Sequence, residues 1–438
     1  MLAFSPEFRL LVRCARLPSD LTAAPPVVAV REAATEVRDW GEFLDLAHRH
    51  WLAPLVYRCL EESAAEITPA AVRTALRNAY LLNAARAEIA VRELHRILQL
   101  AADHGLRVVP FKGPALAAAL YGHPVCRGIG DLGFFADPET AWRLRSLLLG
   151  NGYVSASEAT PAQEKALKRA GWEHGFFHRR HGLYVDINSS LAQQYFDLGL
   201  LERDFDDLLS WVVVEGQRIR TFAPAPLLLV ICAHGSKHGW NRLDWLADVL
   251  HLVHRYPELD FERVFRVARR RGLERVLLLG LGLLREVFDV APSPPAAEAI
   301  ARDRPLTPLL QRCLANLRTG SGSDDVLWRA RIQERLRDRV RYLGRIAVTP
   351  SHNDFRWVSL PERFFFVYYL LRPLRLVLYA ARIRAYLRGQ GTVRQATARP
   401  AEISGLFAPG SDPGSDSAAA AGSDCDTDAD ADAGEKGG

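Results

Sequence analysis

Hydrophobic residues in the N-terminal part of the chain recur every three to four positions, which is the spacing of amphipathic helices. The pattern predicts helices over residues 5–17 and 40–62. It also predicts one long helix over residues 69–104, because Pro69 suits a first helical turn and Gly105 suits the position after a helix end. We expect these helices to brace the module that follows them in the chain.

The middle of the chain alternates between short β-type runs and helical runs. The predicted elements are, in chain order, strand 106–111, helix 114–121, strand 130–136 and helix 138–150. Asp137 precedes Pro138 and is expected to cap the second of these helices. Two further β runs flank Arg180-His181-Gly182 and indicate a hairpin whose second strand carries Asp186. Another pair of short β runs is predicted over residues 207–222.

The chain beyond residue 223 is predicted to be helical, with pairs of helices over residues 261–289. Residues 327–347 carry an apolar stripe at helical spacing with arginines elsewhere, which predicts an amphipathic helix. The apolar segment near residue 370 has only eight uncharged residues before Arg372, fewer than the ~20 of a membrane span, so no transmembrane segment is expected. We interpret it as two core helices broken at Pro373, with docking of residues 364–388 to a membrane surface or a partner as the alternative.

Composition shows that charge is divided unevenly along a chain of globular type. Of its 438 residues, 49% are hydrophobic and 24% are charged. The net charge is +5, but residues 411–438 contain seven aspartates, one glutamate and one lysine, so the rest of the chain is basic. Basic charge permits contact with nucleic acid, yet no RNA-binding, zinc-finger or basic-zipper pattern supports it. Residues 390–438 are expected to be disordered, because they cannot bury enough apolar area to offset the entropy of ordering.

Cysteine spacing and the N-terminal residues indicate the cellular compartment in which the protein is expected. The six cysteines are scattered, without a CxxC pair or a framework spacing, which predicts unpaired thiols in a reducing environment. Charged residues interrupt the apolar positions at the N-terminus, so no secretory signal is expected. These features predict a cytoplasmic location.

The stretch from Val108 to Gly133 holds the densest group of candidate functional residues. A β-type run ends at Lys112-Gly113, and Pro114 then opens an Ala-rich helix. A strand that ends at a glycine and a helix start makes an anion site, because free backbone N–H groups and the positive end of the helix dipole converge there. We therefore expect a phosphate group at this turn.

The order of residues in this stretch resembles a bacterial family of nucleotidyltransferase-like proteins within the DNA polymerase β-type nucleotidyltransferase superfamily. The matching positions are Phe111-Lys112-Gly113-Pro114-Ala115-Leu116, Leu120-Tyr121, Arg127 and Asp131-Leu132. A second match is the family pattern H-x-x-x-H-x-W-x-R-L-x-W-L-x-D, which corresponds to the run from His234 to Asp248. One position departs from the family, because its second carboxylate, two residues after the first, is Gly133 here.

The resemblance implies transfer of a nucleoside monophosphate from an NTP, with Mg²⁺ (or Mn²⁺) neutralising charge on the entering and leaving oxygens. Asp131 and Asp186 would be the catalytic carboxylates that hold the metal. Lys112 and Gly113 would contact the phosphates, and Arg127 would do so with its planar fork. The alternative for the two basic side chains is a salt bridge with one of the aspartates.

Gly133 leaves two of the three expected metal ligands and is open to three explanations. In the first explanation the site is active with one well-held metal ion, and water or substrate oxygens take the place of the missing ligand. In the second it binds a nucleotide without turning it over. In the third explanation the fold persists for contact with a partner. Asp137 lies six residues beyond Asp131 and is better explained as a helix cap than as a substitute ligand.

His234 and His238 are four residues apart, hence on one helical face, where such a pair can bind zinc. A zinc-protease pattern is excluded because position 235 is glycine and not glutamate. The pair either packs between two modules or contributes to the nucleotide pocket. We favour the pocket for His234 and Lys237, and packing for Asp248.

The predicted fold class is α+β, with a small mixed-sheet nucleotidyltransferase module embedded in a largely helical chain and a disordered acidic C-terminal tail. The predicted regions are N-terminal helices (1–68), the module with its leading helix (69–222), a helical domain (223–300), C-terminal amphipathic helices (301–389) and the tail (390–438). The predicted function is Mg²⁺-dependent nucleotidyl transfer from an NTP to an unknown acceptor, which is a protein, a small molecule or RNA. The alternative is a catalytically degenerate nucleotide-binding or scaffold protein of the same fold.

Overall fold

The computed structural model describes most of the chain N-terminal to residue 390. The described residues are 4–16, 27–157, 160, 163, 174–189, 207–322, 326–358 and 360–389. Within these ranges the chain is mainly helical, with one five-stranded mixed sheet and one two-stranded hairpin. The predicted α+β class is therefore confirmed, while the prediction of disorder for the acidic tail concerns residues outside the described ranges.

The N-terminal region is helical up to the first strand. Its described helices are α1 (Pro6–Ala15), α2 (Val27–Thr35), α3 (Trp40–Arg49), α4 (Ala53–Ser63) and α5 (Ala70–Asp103). The single helix predicted over residues 40–62 is two helices, because Trp51 adopts a left-handed backbone with φ 57° and Pro54 starts the second helix. The long helix predicted over residues 69–104 is confirmed by α5.

The mixed sheet places the two predicted catalytic aspartates on neighbouring strands. Its strands are β1 (Val109–Pro110), β2 (Asp131–Phe135), β3 (Tyr153–Ser155), β4 (His174–His178) and β5 (Tyr184–Asn188), in the spatial order β1-β2-β5-β4-β3. Strands β2 and β5 are parallel, and the other neighbouring pairs are antiparallel. Gly133 lies opposite Asp186 in the parallel pair. Because residues two apart share a face, Asp131 and Asp186 project from the same side of the sheet.

Two helices connect the first strands of this sheet. Helix α6 (Gly113–Tyr121) links β1 to β2, and helix α7 (Pro138–Gly150) links β2 to β3. The predicted cap of α7 is confirmed, since the Asp137 carboxylate accepts hydrogen bonds from the backbone N–H groups of Glu139 and Thr140. Every residue of α6 is buried, because this apolar helix lies between the core under the sheet and the core of the surrounding helices.

A hairpin and a group of helices follow the sheet. The hairpin strands are β6 (Leu209–Val214) and β7 (Gln217–Phe222), and the helices are α8 (Pro224–Lys237), α9 (Leu243–Arg255), α10 (Phe261–Arg271), α11 (Glu274–Phe288), α12 (Pro294–Arg302) and α13 (Leu306–Thr319). The Thr221 hydroxyl donates to the carbonyl oxygen of Pro110 at 2.7 Å, which attaches the hairpin to β1. The predicted strand pair over residues 207–222 and the helical pair over residues 261–289 are confirmed.

The C-terminal helices differ from the prediction in two places. They are α14 (Val326–Ile332), α15 (Leu336–Val348), α16 (His352–Trp357) and α17 (Tyr368–Gly389), with a 3₁₀ turn over Glu362–Val367. The amphipathic helix predicted over residues 327–347 is two helices. The Arg275 guanidinium donates hydrogen bonds to the carbonyl oxygens of Arg331 and Gln333, at the break between them. Pro373 does not break α17, since the carbonyl that its missing N–H would have bonded belongs to the exposed residue Tyr369.

None of the helices that the structure describes is both long enough and apolar enough to cross a membrane.

Two buried histidines attach the N-terminal helices to α9. The backbone N–H of Leu243 donates to Nδ1 of His50 at 3.1 Å, and Nε2 of His251 lies 3.2 Å from the carbonyl oxygen of Ala15. Burial lowers the pKa of His50 and of His251 to about 4 in each case. Both side chains are therefore neutral at pH 7 and serve as uncharged hydrogen-bonding groups.

We predict that the free energy of unfolding falls as the pH drops from about 6.5 to 4. In the unfolded chain both histidines regain an ordinary pKa of about 6.5, so the unfolded chain binds more protons in this window. The stabilisation is complete above pH 6.5 and is lost toward pH 4, by roughly 3 kcal/mol for each histidine. Urea unfolding at a series of pH values measures this loss.

The replacement His251→Asn should make the free energy of unfolding less dependent on pH, because asparagine is polar but does not titrate. The matched control is His48→Gln at an exposed position of α3, which should leave the pH dependence unchanged. Equal pH dependence in the wild type and in His251→Asn would contradict the prediction.

Candidate active site

The two aspartates converge on the ammonium group of Lys112. Its Nζ atom lies 3.2 Å from Oδ2 of Asp131 and 3.2 Å from Oδ2 of Asp186. Asn188, on the same face of β5, donates its amide N–H to Oδ2 of Asp186 at 2.8 Å. Burial raises the pKa of Asp131, but Lys112 and the more distant charges of Arg127 and Arg242 together lower it by more, so the net pKa is below the ordinary value. The result is a charged cluster of two carboxylates and one ammonium across the parallel strands.

Gly133 makes room for the side chain of Lys112. A Cβ atom at position 133 would lie 2.7, 2.8 and 2.9 Å from Cδ, Cγ and Cβ of Lys112, closer than real Cβ atoms approach other atoms. The lysine stem thus crosses the strand at the position where the resembled family carries its second carboxylate. A side chain at position 133 and the observed position of the Lys112 stem therefore exclude each other.

Gly113 brings the first turn of α6 against β2. Its φ is 58°, and a Cβ atom there would lie 2.6 Å from the carbonyl oxygen of Asp131. A side chain at this position would therefore meet backbone atoms that cannot move aside. The close approach sets the positive end of α6 beside the strand that carries Asp131.

Arg127 is directed toward α9 and not toward the Lys112 cluster. Its Nε and Nη2 atoms donate to the carboxylate of Asp248 at 3.0 and 2.9 Å, and Nη1 donates to the carbonyl oxygen of Gly128 at 3.2 Å. The hydroxyl of Tyr121 donates to the same carboxylate at 2.8 Å. Arg127 therefore forms its salt bridge with Asp248 and not, as the alternative prediction had it, with Asp131 or Asp186.

Burial and the ion pair shift the pKa values of Arg127 and Asp248 in opposite directions. Burial lowers the pKa of Arg127, whereas Asp248 raises it, and the net pKa is above the ordinary value. Burial and the charge of Asp244 raise the pKa of Asp248, Arg127 lowers it, and the net pKa is above the ordinary value. The pair joins the sheet module to the helical region through a bidentate, desolvated contact, which depends on both partners.

An arginine between two tryptophans forms one wall beside the charged cluster. The guanidinium carbon of Arg242 lies 4.4 Å from the ring centroid of Trp51 and 4.8 Å from that of Trp245. Its Nε atom donates to Oδ1 of Asp244 at 3.0 Å. Stacking on both faces and a carboxylate at the edge hold this guanidinium in one orientation.

The predicted histidine pair packs against Trp245. The ring centroids of His234 and His238 lie 5.0 and 5.2 Å from that of Trp245. Burial lowers the pKa of both histidines well below the ordinary value, and the charge of Lys112 lowers that of His234 further. Both rings are therefore neutral at pH 7. They contribute aromatic surface and single hydrogen bonds, not positive charge.

These groups surround one pocket between the sheet and the helices α8 and α9. Of the residues singled out from the sequence, the lining includes Lys112, Arg127, Asp131, Asp186 and His234. Gly113 and Lys237 lie outside the lining, Gly113 at the start of α6 and Lys237 buried at the end of α8.

Trp51 is a pocket residue that the sequence did not indicate. It comes from the N-terminal helices, which were expected only to brace the module. A Cβ atom at Gly128 would lie 3.0 Å from the carbonyl oxygen of Trp51, and one at Gly130 would lie 3.1 Å from its ring. The two glycines in the sequence indicate a close approach at this point, but local sequence does not identify the group that approaches.

A second titratable cluster lies on α5 and the β4–β5 hairpin. Glu93 accepts hydrogen bonds from the guanidinium of Arg96 and the hydroxyl of Tyr153. The rings of His178 and His181 stack beside it, with centroids 3.8 Å apart and planes 6° apart. A metal ion lies in the plane of each imidazole that binds it, so two parallel rings at this distance do not share one ion. With Arg96 already neutralising Glu93, the cluster is a structural ion-pair network.

A mixed sheet, a glycine turn into a buried helix and two carboxylates on adjacent parallel strands define a nucleotidyltransferase type of module. The family model of uncharacterised nucleotidyltransferases matches residues 36–289, more than half of the chain. The chain belongs to this family. Comparison with curated proteins and with solved structures found no match. The matched range contains the Lys112 cluster, Trp51 and the run from His234 to Asp248.

We predict that Asp248→Leu lowers the free energy of unfolding by about 3–5 kcal/mol, because it leaves the buried Arg127 guanidinium without its counterion. The double variant Arg127→Met/Asp248→Leu should recover most of this loss, because it removes both charges. Urea unfolding of the single and double variants measures the coupling between the two residues.

The matched control is Glu88→Leu, which breaks the exposed ion pair with Arg92 on α5. It should change the free energy of unfolding by no more than about 1 kcal/mol. If the double variant were less stable than Asp248→Leu, the pair would not be the coupled contact described.

Proposed function

We propose that this protein transfers a nucleoside monophosphate from an NTP to an acceptor, with one Mg²⁺ (or Mn²⁺) held by Asp131 and Asp186. The supporting observation is that both carboxylates lie 3.2 Å from the same ammonium nitrogen. A cation at that place meets oxygen atoms from two neighbouring strands, and carboxylate oxygens are the ligands that Mg²⁺ prefers.

The ligand set suits one divalent ion better than two. Gly133 withholds the third carboxylate, and the stem of Lys112 fills the space in front of it. When bound, the ion would neutralise charge on the reacting phosphate group. The second positive charge that this chemistry needs is supplied in our proposal by Lys112.

Lys112 has two roles in this proposal. A divalent ion and the ammonium group compete for the same two carboxylates, so binding of the ion requires Lys112 to release them. The released ammonium would lie beside the first turn of α6, where it pairs with phosphate oxygens of the NTP. The start of α6 at Gly113 adds the positive end of a helix dipole to the same place.

The remaining predicted residues take other roles. We assign Arg127 to holding the sheet module against α9, because Asp248 and Gly128 already accept its hydrogen bonds. His234 lines the pocket as a neutral ring that can make one hydrogen bond with the NTP or the acceptor. Lys237 lies outside the pocket lining and has no role in the proposal.

A second candidate function is nucleotide binding without turnover, or a scaffold role. The observation that favours it is that Lys112 already pairs with both carboxylates, while position 133 supplies no third one. A protein of this kind would bind NTP through Lys112 and α6 and would release no pyrophosphate. Titration calorimetry with each NTP, with and without Mg²⁺, separates this function from a scaffold that binds no nucleotide.

We predict that the purified protein releases pyrophosphate from at least one NTP in the presence of Mg²⁺ or Mn²⁺. Asp131→Asn and Asp186→Asn should each lower this rate by more than ~100-fold, since losses of groups that only support a metal ligand already cost ~10–100-fold. A pyrophosphate assay and labelled NTP, with the protein itself and RNA as trial acceptors, measure the rate.

The matched control is Asp137→Asn. Asparagine caps helices about as well as aspartate, and Asp137 lies outside the pocket, so the rate should be unchanged. Activity that survives Asp131→Asn and Asp186→Asn together would refute the site. NTP binding without pyrophosphate release would support the second candidate function.

We further predict that Lys112→Met makes the stability of the protein depend on divalent ions. The variant leaves two carboxylates side by side without their cation, so its free energy of unfolding should fall by about 3–5 kcal/mol. Saturating Mn²⁺ should restore part of this, by about 2.7 kcal/mol at a hundred times the dissociation constant. Thermal unfolding with and without Mn²⁺ measures the effect, and an equal Mn²⁺ response in Lys112→Met and Asp131→Asn would contradict the competition.

A further inference from the structure

Exposed apolar side chains are concentrated in the C-terminal helices. Among the residues that the structure describes, twenty large apolar side chains are exposed, and thirteen of them lie between Leu327 and Leu378. Scattered exposed apolar residues are normal on a protein surface, whereas a concentration in one region indicates a binding surface.

The apolar residues of α17 and the turn before it form one continuous stripe. Phe366, Leu370, Leu374 and Val377 are 64%, 69%, 50% and 65% exposed. Their spacing of four, four and three residues places them on one side of a helix. The opposite side of this part of α17 is occupied by buried residues such as Tyr368 and Arg372, so the apolar stripe faces outward.

Helix α15 carries a second stripe of the same kind beside a row of arginines. Leu336, Val340 and Leu343 are exposed on one side. The arginines at positions 337, 341 and 345 are also exposed and recur every four residues on the adjoining side. An apolar stripe bordered by arginines is the pattern of a helix that lies in the interface of a membrane.

A buried ion pair holds the two helices together. The Arg372 guanidinium donates from Nε to the carbonyl oxygen of Ile346 at 3.1 Å and from Nη1 to Asp354 at 3.3 Å. Arg375 donates to the same carboxylate at 2.5 Å. These contacts attach α15, α16 and α17 to one another, so the two helices that carry the exposed stripes are held in a fixed arrangement.

The charge of this region restricts what covers it. Residues 336–389 contain eleven arginines and three acidic residues, a net charge of +8, of which the buried group of Arg372, Arg375 and Asp354 accounts for +1. Two copies of the chain joined through this face would bring two such positive surfaces together. A partner with both negative charge and an apolar layer would pair with the arginines and bury the apolar stripes.

We propose that α15 and α17, with the turn before α17, dock this protein on an anionic membrane surface. The apolar stripes enter the region between the lipid headgroups, and the exposed arginines pair with the lipid phosphates. The helices lie along the membrane and do not cross it. The proposal uses none of the residues of the nucleotide pocket and holds whether or not the protein transfers nucleotides.

The experiment is flotation of the full chain with vesicles of phosphatidylcholine alone and with vesicles that also contain phosphatidylglycerol. We expect binding only to the anionic vesicles, and less of it at high salt because the Debye length shortens. Leu370→Ser/Leu374→Ser should weaken binding at least about tenfold, since two leucine side chains lose their apolar environment. Arg337→Gln/Arg341→Gln/Arg345→Gln should also weaken it and reduce its salt dependence.

The matched control is Leu81→Ser/Leu82→Ser, which changes two leucines of α5 that are 53% and 60% exposed. This control should bind the vesicles like the wild type, and circular dichroism should show the same helical content in all variants. Failure of the wild type to bind anionic vesicles would overturn the proposal, as would equal weakening by the control. It would also be overturned if light scattering found a dimer that Leu370→Ser/Leu374→Ser dissociates, because a second copy would then cover the face.

Discussion

Two carboxylates that lie side by side in a partly buried site can both stay ionised only if a positive charge lies with them, because otherwise one of them takes up a proton. In this protein the ammonium of Lys112 meets that requirement between Asp131 and Asp186. The register of β2 and β5 fixes the aspartates, and Gly133 leaves space for the lysine stem. The geometry of the candidate active site therefore depends on the positive charge of Lys112 between the two carboxylates.

The pocket around this cluster exists because two parts of the protein are held together. Helix α6 is buried between two cores and starts beside β2, and the Arg127–Asp248 pair ties the sheet module to α9. Trp51 then closes the pocket from the N-terminal helices. Sheet, helical region and N-terminal helices each supply part of the wall, which explains why the family match extends well beyond the sheet.

Local patterns predicted the elements well and their partners poorly. The extent of α5, the Asp137 cap and the hairpin that carries Asp186 followed from periodicity and capping chemistry. The break at Trp51 and the uninterrupted α17 did not, because tertiary contacts and solvent access decide them. The sequence resemblance predicted that Gly133 stands in the place of a carboxylate, but nothing local indicates that the stem of Lys112 packs against this glycine. The partner of Arg127 lies 121 residues away, beyond the reach of any local pattern.

The counterion of the two aspartates is Lys112, which belongs to the polypeptide itself, and this affects how the protein folds. A metalloprotein whose acidic site is held apart by repulsion until an ion arrives must find that ion in order to fold. Here the lysine is delivered by the same polypeptide, only nineteen positions before the first aspartate. Folding of this site therefore does not depend on a supply of divalent ions, and the ion that we propose would bind to a structure that is already folded.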